Sequence, residues 1–86
     1  KPTKGNDDSN PTDHEIAEQL IHSLVLHDDR VFVRRCLLGI YGTKRLDIVN
    51  GYFEQWRLGS DAQSDDIKKD NAGRYRANSW IRDLYK

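Results

Sequence analysis

Between Arg30 and Arg57 two apolar-striped segments, Val31 to Tyr41 and Leu46 to Trp56, meet at Gly42-Thr43. In the second, Leu46, Val49, Phe53 and Trp56 recur at three- and four-residue spacing, which puts them on one face of a helix that must be buried against something else. In the first, Val33, Leu37, Ile40 and Tyr41 follow the same period, and Val31, Phe32, Cys36 and Leu38 widen the apolar face. So wide a face predicts a central, mostly buried helix. The alternative is a β-hairpin across Gly42-Thr43-Lys44, which the Val-Phe-Val start and the glycine permit. Arg34-Arg35 followed by Cys36-Leu37-Leu38 breaks the alternation that a half-buried strand needs, so helix is the preferred reading. Gly42 then stands where a helix-ending glycine is expected and Thr43 where the next cap is expected.

The rest of the chain is read around that joint. Lys1 to Pro11 has no apolar side chain beyond its prolines, so it has nothing to bury against the entropy of ordering and reads as a disordered tail or linker. Thr12 and Glu15 have capping-box spacing. Ile16, Ala17, Leu20, Ile21, Leu24 and Val25 then predict an amphipathic helix to about His27, with Asp28-Asp29 as a break and a new cap. The second segment of the joint should stop at Gly59. Gly51 inside it costs roughly 1 kcal/mol against alanine, which a close helix contact would explain. Gly59 to Asp66 is a polar loop with Ser60 and Ser64 as caps. A helix from about Ser64, open to interruption at Gly73, leads to a terminal stretch whose Trp80, Ile81 and Leu84 dock on the core.

The fold class is therefore all-α: a compact bundle of four or five short helices, residues 12–86 as one domain behind the 1–11 tail, with a candidate helix-turn-helix over residues 30–58. A chain of 86 residues supports one small core. With 36% hydrophobic and 33% charged residues, the apolar side chains have to be gathered on such stripes for the chain to fold at all. No run approaches the roughly 18 apolar residues of a membrane span. The single cysteine, Cys36, excludes an intramolecular disulfide framework and fits a reducing compartment, cytoplasmic or, in a eukaryote, nuclear. The chain starts at Lys1 and holds no methionine, which fits either a trimmed chain or a piece of a longer protein.

Net charge is zero, but its distribution along the chain is uneven. Residues 1–29 hold Lys1 and Lys4 against seven acidic residues, net −5, and residues 30–57 hold six basic against two acidic, net +4. Residues 58–66 carry three aspartates, and residues 67–86 hold six basic against two acidic, again net +4. Only cations that converge in space attract a polyanion.

Read as a helix-turn-helix, the central unit would present Arg34, Arg35, Lys44, Arg45, Asn50 and Gln55 to phosphates and base edges. In the last stretch Lys68, Lys69, Arg74, Arg76, Arg82 and Lys86 interleave with Tyr75, Trp80 and Tyr85, the mixture of cations and aromatics that nucleic acid binding uses. Both features have a plain structural reading, a helical corner and a solvated basic face. His14, His22 and His27 lie eight and five residues apart, unlike the four-residue spacing of helix-borne metal ligands, and read as surface histidines. Cys36, on an apolar face, reads as a structural thiol. There is no phosphate loop, no nucleophile triad and no paired carboxylates suited to acid and base roles, so neither an enzyme nor a cofactor is expected.

The leading expectation is a small module that binds nucleic acid, DNA in the first instance, as in a plasmid, phage or regulatory protein. The alternative is a protein–protein interaction or assembly domain, a homo-oligomer included, with Tyr52, Trp56, Trp80 or Tyr85 as anchors. The discriminating observation is spatial. Convergence of the cations on one face favours nucleic acid, and carboxylates dispersed among them favour the interaction domain.

Overall fold

A computed structural model describes residues 12–84 of the chain. The tail expected over residues 1–11, together with Tyr85 and Lys86, lies outside the described residues. Four α-helices make up the fold, α1 (Asp13–His22), α2 (His27–Cys36), α3 (Gly42–Ala62) and α4 (Lys69–Leu84), with a 3-10 turn at Asp66–Lys68 leading into α4. The described residues contain no strand, which removes the β-hairpin alternative.

The start of α1 follows its sequence signature. The Thr12 hydroxyl accepts the Glu15 amide at 3.2 Å, and a Glu15 carboxylate oxygen accepts the Thr12 amide at 2.8 Å. The Thr12 amide and, after it, the Thr12 hydroxyl hold the Glu15 carboxyl below its ordinary pKa. The other boundaries shift. Helix α1 stops at His22 rather than near His27, because the chain turns at Ser23, whose hydroxyl donates to the Leu20 carbonyl at 2.5 Å. Leu24 remains in the core, but Val25 is turned out to solvent. Asp28 and Asp29 do not cap α2. They occupy its first turn, where carboxylates suit the positive end of the helix dipole, and Leu26 at the cap makes no side-chain bond.

The joint lies three residues earlier than the sequence places it. Helix α2 ends at Cys36, and the corner is the Leu37–Ile40 turn, closed by the Ile40 amide donating to the Leu37 carbonyl at 2.9 Å. Gly39 sits in that turn at φ +82°, a left-handed conformation that costs other residues about 1–2 kcal/mol. Gly42, at φ +63°, opens α3 instead of closing α2. Thr43 is not a cap; its hydroxyl reaches across to α1 and donates to Asp13 Oδ2 at 2.6 Å. The apolar run Val31–Tyr41 is consequently split: Val33 and Leu37 are buried, whereas Leu38 and Tyr41 face solvent.

The central helix is α3. It packs chiefly on α4 and α1, while α2 leans on α4 and α1, so residues 30–58 are not packed as a two-helix unit of their own. Helix α3 runs through Gly59 to Ala62, and α4 through Gly73 without interruption. Both glycines are there for close approach. A Cβ on Gly59 would lie 2.7 Å from the Ala72 carbonyl oxygen, and one on Gly73 would lie 2.6 Å from Cδ1 of Trp56. Gly51 plays the same part against the Trp80 ring. The pairings 51 with 80, 56 with 73 and 59 with 72 make α3 and α4 antiparallel. Asp65, not Ser60 or Ser64, caps the approach to α4, accepting the Ile67 amide at 2.9 Å. Val33, Leu37, Val49, Tyr52, Ala77 and Ile81 fill the core with Ala17, Ile21 and Leu24 of the α1 region. Trp80 packs partly buried against this core, and Leu84, expected to dock there, is exposed.

Candidate functional site

The cations expected to meet a polyanion are mostly engaged within the fold. Arg45 is nearly buried: its Nε and Nη2 donate to Glu18 Oε2 at 3.1 and 2.6 Å. Its Nη1 donates to the carbonyls of Leu37 and Ile40 at 3.2 and 3.0 Å, closing the polar groups that the corner leaves open. Arg34 donates to the other oxygen of the same carboxylate, Glu18 Oε1, at 3.1 Å. One glutamate of α1 thus ties α2 to α3 through two arginines. Burial alone would raise the Glu18 pKa, but hydrogen bonds from Arg45 and Arg34 outweigh it and hold the carboxyl below its ordinary value.

Stability at low pH follows from that shift. The folded pKa lies below the unfolded value near 4.5, so the clamp contributes fully above that value and is lost as pH falls through the folded one. Thermal unfolding followed from about pH 6 to pH 3 should show Tm falling, and Glu18→Gln should flatten part of the fall. An unchanged acid slope in the Glu18→Gln protein would contradict the clamp.

A second network holds α2 to α4. Asp29 is buried, and Arg74 donates to it twice, from Nε to Oδ2 at 2.7 Å and from Nη2 to Oδ1 at 3.0 Å. Asn78 Nδ2 approaches the same Oδ1 at 3.4 Å, and the Tyr52 hydroxyl donates to Asn78 Oδ1 at 2.6 Å. Burial, then the charge of Asp29, pushes the Tyr52 phenol far above its ordinary pKa, so it stays a donor. Arg76 donates to Gln55 at 2.9 Å, Arg82 approaches Asp83 at 3.4 Å, and the Lys69 ammonium donates to the Ser60 and Gln63 carbonyls at the end of α3.

Of the residues expected at nucleic acid, Arg35, Lys44, Asn50 and Lys68 are exposed, and their side chains make no hydrogen bond or ion pair among the described residues. Lys44 and Lys68 do not converge. Lys44 stands in the first turn of α3 and Lys68 lies beyond its end, and a 21-residue helix is about 30 Å long.

The aromatic anchors of the alternative reading divide in a different way. Tyr52 is fully buried, edge-on to Phe53 at a centroid separation of 5.7 Å, and offers nothing to a partner. Trp80 is half-buried over Gly51, and Tyr85 lies outside the described residues. Trp56 is half-buried and forms part of a groove of about 280 Å³ between the α1–α2 connection and α4, which Val25, Leu26, Asn71 and Arg74 also line. Val25 is 86% exposed and Leu26 43%, and Tyr75 on the same side of α4 is 78% exposed. A shallower furrow continues from the groove along α4, past Asn71, Arg74, Tyr75 and Arg82.

Sequence reasoning missed Val25 and Leu26. The helical period of α1 runs through Val25, and nothing local marks the stop at His22. Tyr75 was flagged, but for base stacking. His14, His22 and His27 are all exposed, as expected, and the described residues hold no group of three or more metal-ligating side chains. No helix among the described residues is long and apolar enough to cross a membrane.

Cys36 is half-buried, and burial raises its thiol pKa against the opposing pull of Arg35. It should therefore react slowly with iodoacetamide at about pH 8, at roughly a tenth of the unfolded chain's rate or less. Equal rates would show an accessible thiolate.

Comparison with known protein families, curated proteins and solved structures gives no match, so the functional reading rests on this chain's own residues.

Proposed function

We propose that this protein is a non-enzymatic protein-interaction module that receives a segment of a partner protein in the groove between the α1–α2 connection and α4. The observation that carries this reading is the distribution of polar and apolar groups. The expected phosphate contacts Arg34, Arg45 and Arg74 are bonded to carboxylates, whereas Val25 and Leu26 stand exposed at the Trp56 groove and Tyr75 along the furrow that continues from it. Carboxylates interspersed among cations cancel the field that draws in a polyanion. Large apolar side chains around a concavity are what a protein partner covers.

One feature keeps nucleic acid as a second reading. Asn71, Tyr75, Ser79 and Arg82 share the exposed side of α4, and their groups are of the types that meet bases and phosphates. A photo-crosslinking residue at position 25 or 75 of the full chain, with position 61 as control, distinguishes the two in cells. The expected result is a discrete protein adduct from positions 25 and 75 and none from 61. Adducts to nucleic acid from those positions, or no adduct at all, would overturn the proposal.

A further inference from the structure

Resting on the interaction reading above, we infer that the occupant of the groove is a protein segment with one bulky apolar side chain and a carboxylate beyond it on the Arg82 side. The groove of about 280 Å³ has Val25 and Leu26 at its edge and Trp56 in its wall. That volume accommodates one leucine, isoleucine or phenylalanine side chain rather than a run of them. From there the furrow of about 420 Å³ follows α4, lined by Asn71, Arg74, Tyr75, Asn78, Ser79 and Arg82. Two guanidinium groups line it and no carboxylate does.

Arg74 is shared by the groove and the furrow. Asp29 holds its Nε and Nη2, and Nη1 bonds nothing among the described residues. A guanidinium fixed in this way gives up little further side-chain freedom when a ligand oxygen reaches it. Arg82 is eight residues further along α4, about 12 Å on, and its side chain is 60% exposed. The groove itself is lined by two carboxylates, Asp29, which Arg74 holds, and Asp70 in the first turn of α4. Carboxylates thus line the groove and guanidinium groups the furrow, and a bound segment lies with its anionic end toward Arg82, whose exposed pairing with Asp83 at 3.4 Å is weak. Asn71, common to both cavities, carries a donor and an acceptor suited to the main chain of such a segment.

The test is selection of random peptides displayed on phage against the full 86-residue chain. Enriched peptides are then synthesised and titrated against the native protein, Val25→Gln and Arg82→Gln. Both positions are largely exposed, so both variants keep the fold, which circular dichroism checks. The expected peptides pair Leu, Ile or Phe with Asp or Glu about four positions away if extended and about eight if helical. Their affinity should fall about tenfold with Val25→Gln and about fivefold with Arg82→Gln, the latter difference shrinking as salt rises. Peptides sensitive to Val25→Gln but indifferent to Arg82→Gln, and without acidic enrichment, would overturn this occupant and leave the interaction reading standing. If no peptide is sensitive to Val25→Gln, both fail. Displacement of the selected peptides by a short DNA duplex, in a salt-dependent manner, would assign the furrow to nucleic acid instead.

Discussion

Replacing Asp29 with alanine should lower the free energy of unfolding by about 2–4 kcal/mol, somewhat below the 3–5 kcal/mol of a fully buried pair that loses one partner. The discount reflects Arg74, whose side chain is 32% exposed and can recover some hydration, whereas that of Asp29 is 4% exposed. The loss comes from two sources. The Arg74 guanidinium and the Asn78 amide lose their acceptor in a site largely closed to water, and α2 loses a carboxylate from its first turn. Asp29→Asn keeps the shape and one acceptor, so its cost should be smaller. Denaturant titration measures both: a lower midpoint at unchanged slope marks lost stability. Hydrogen exchange should locate the weakening in α2. A loss under about 1 kcal/mol for Asp29→Ala would mean that the network does not hold α2 against α4.

The second large effect is expected at the contact of α3 with α4. Gly73→Val should destabilise by on the order of 3 kcal/mol or more, the upper end of overpacking costs. An added Cβ would lie 2.6 Å from Cδ1 and 2.7 Å from Nε1 of Trp56, and 2.9 Å from the Trp56 carbonyl oxygen. The carbonyl belongs to a helix backbone and cannot swing aside. Gly73→Ala should also destabilise, although alanine gains about 1 kcal/mol of helix propensity over glycine, because the clash begins at Cβ. Gly51→Ala provides the contrast, since its obstacle is the outer edge of the Trp80 ring, a side chain that can move. There the propensity gain and the contact should nearly cancel. Thermal melts resolve the difference, as 1 kcal/mol corresponds to about 4–8 °C in a domain of this size. A Gly73→Val protein as stable as the native chain would show that the helices can separate without loss.

The same glycines show how far the sequence could be read. Gly51 and Gly73 were visible as anomalies inside helical patterns, and Gly51 already pointed to a close contact. What approached them was not visible, because Trp80 and Trp56 belong to the opposite helix. The reverse error occurred at the corner. Gly42 was assigned the end of α2, whereas Gly39 makes that turn, since two glycines three residues apart satisfy the same local rule. Val25 illustrates a limit of periodicity, which continues past the point where the chain has left the helix.

The helical class, the Thr12–Glu15 cap and the stripe from Leu46 to Trp56 were determined by the sequence alone. Their causes act within one or two turns, through hydrogen bonds to neighbouring amides and apolar side chains at helical spacing. The use of the charges was decided only by the tertiary structure. Glu18 meets Arg45 across 27 residues and Asp29 meets Arg74 across 45. An ion pair at such separation leaves no local trace, because its geometry exists only after the helices have packed. Glu18 and Asp29, both from the acidic first third of the sequence, are brought against arginines of the basic middle and of α4. What remains on the surface is a groove edged by Leu26 and by Val25, a residue that a helical period had assigned to the apolar face.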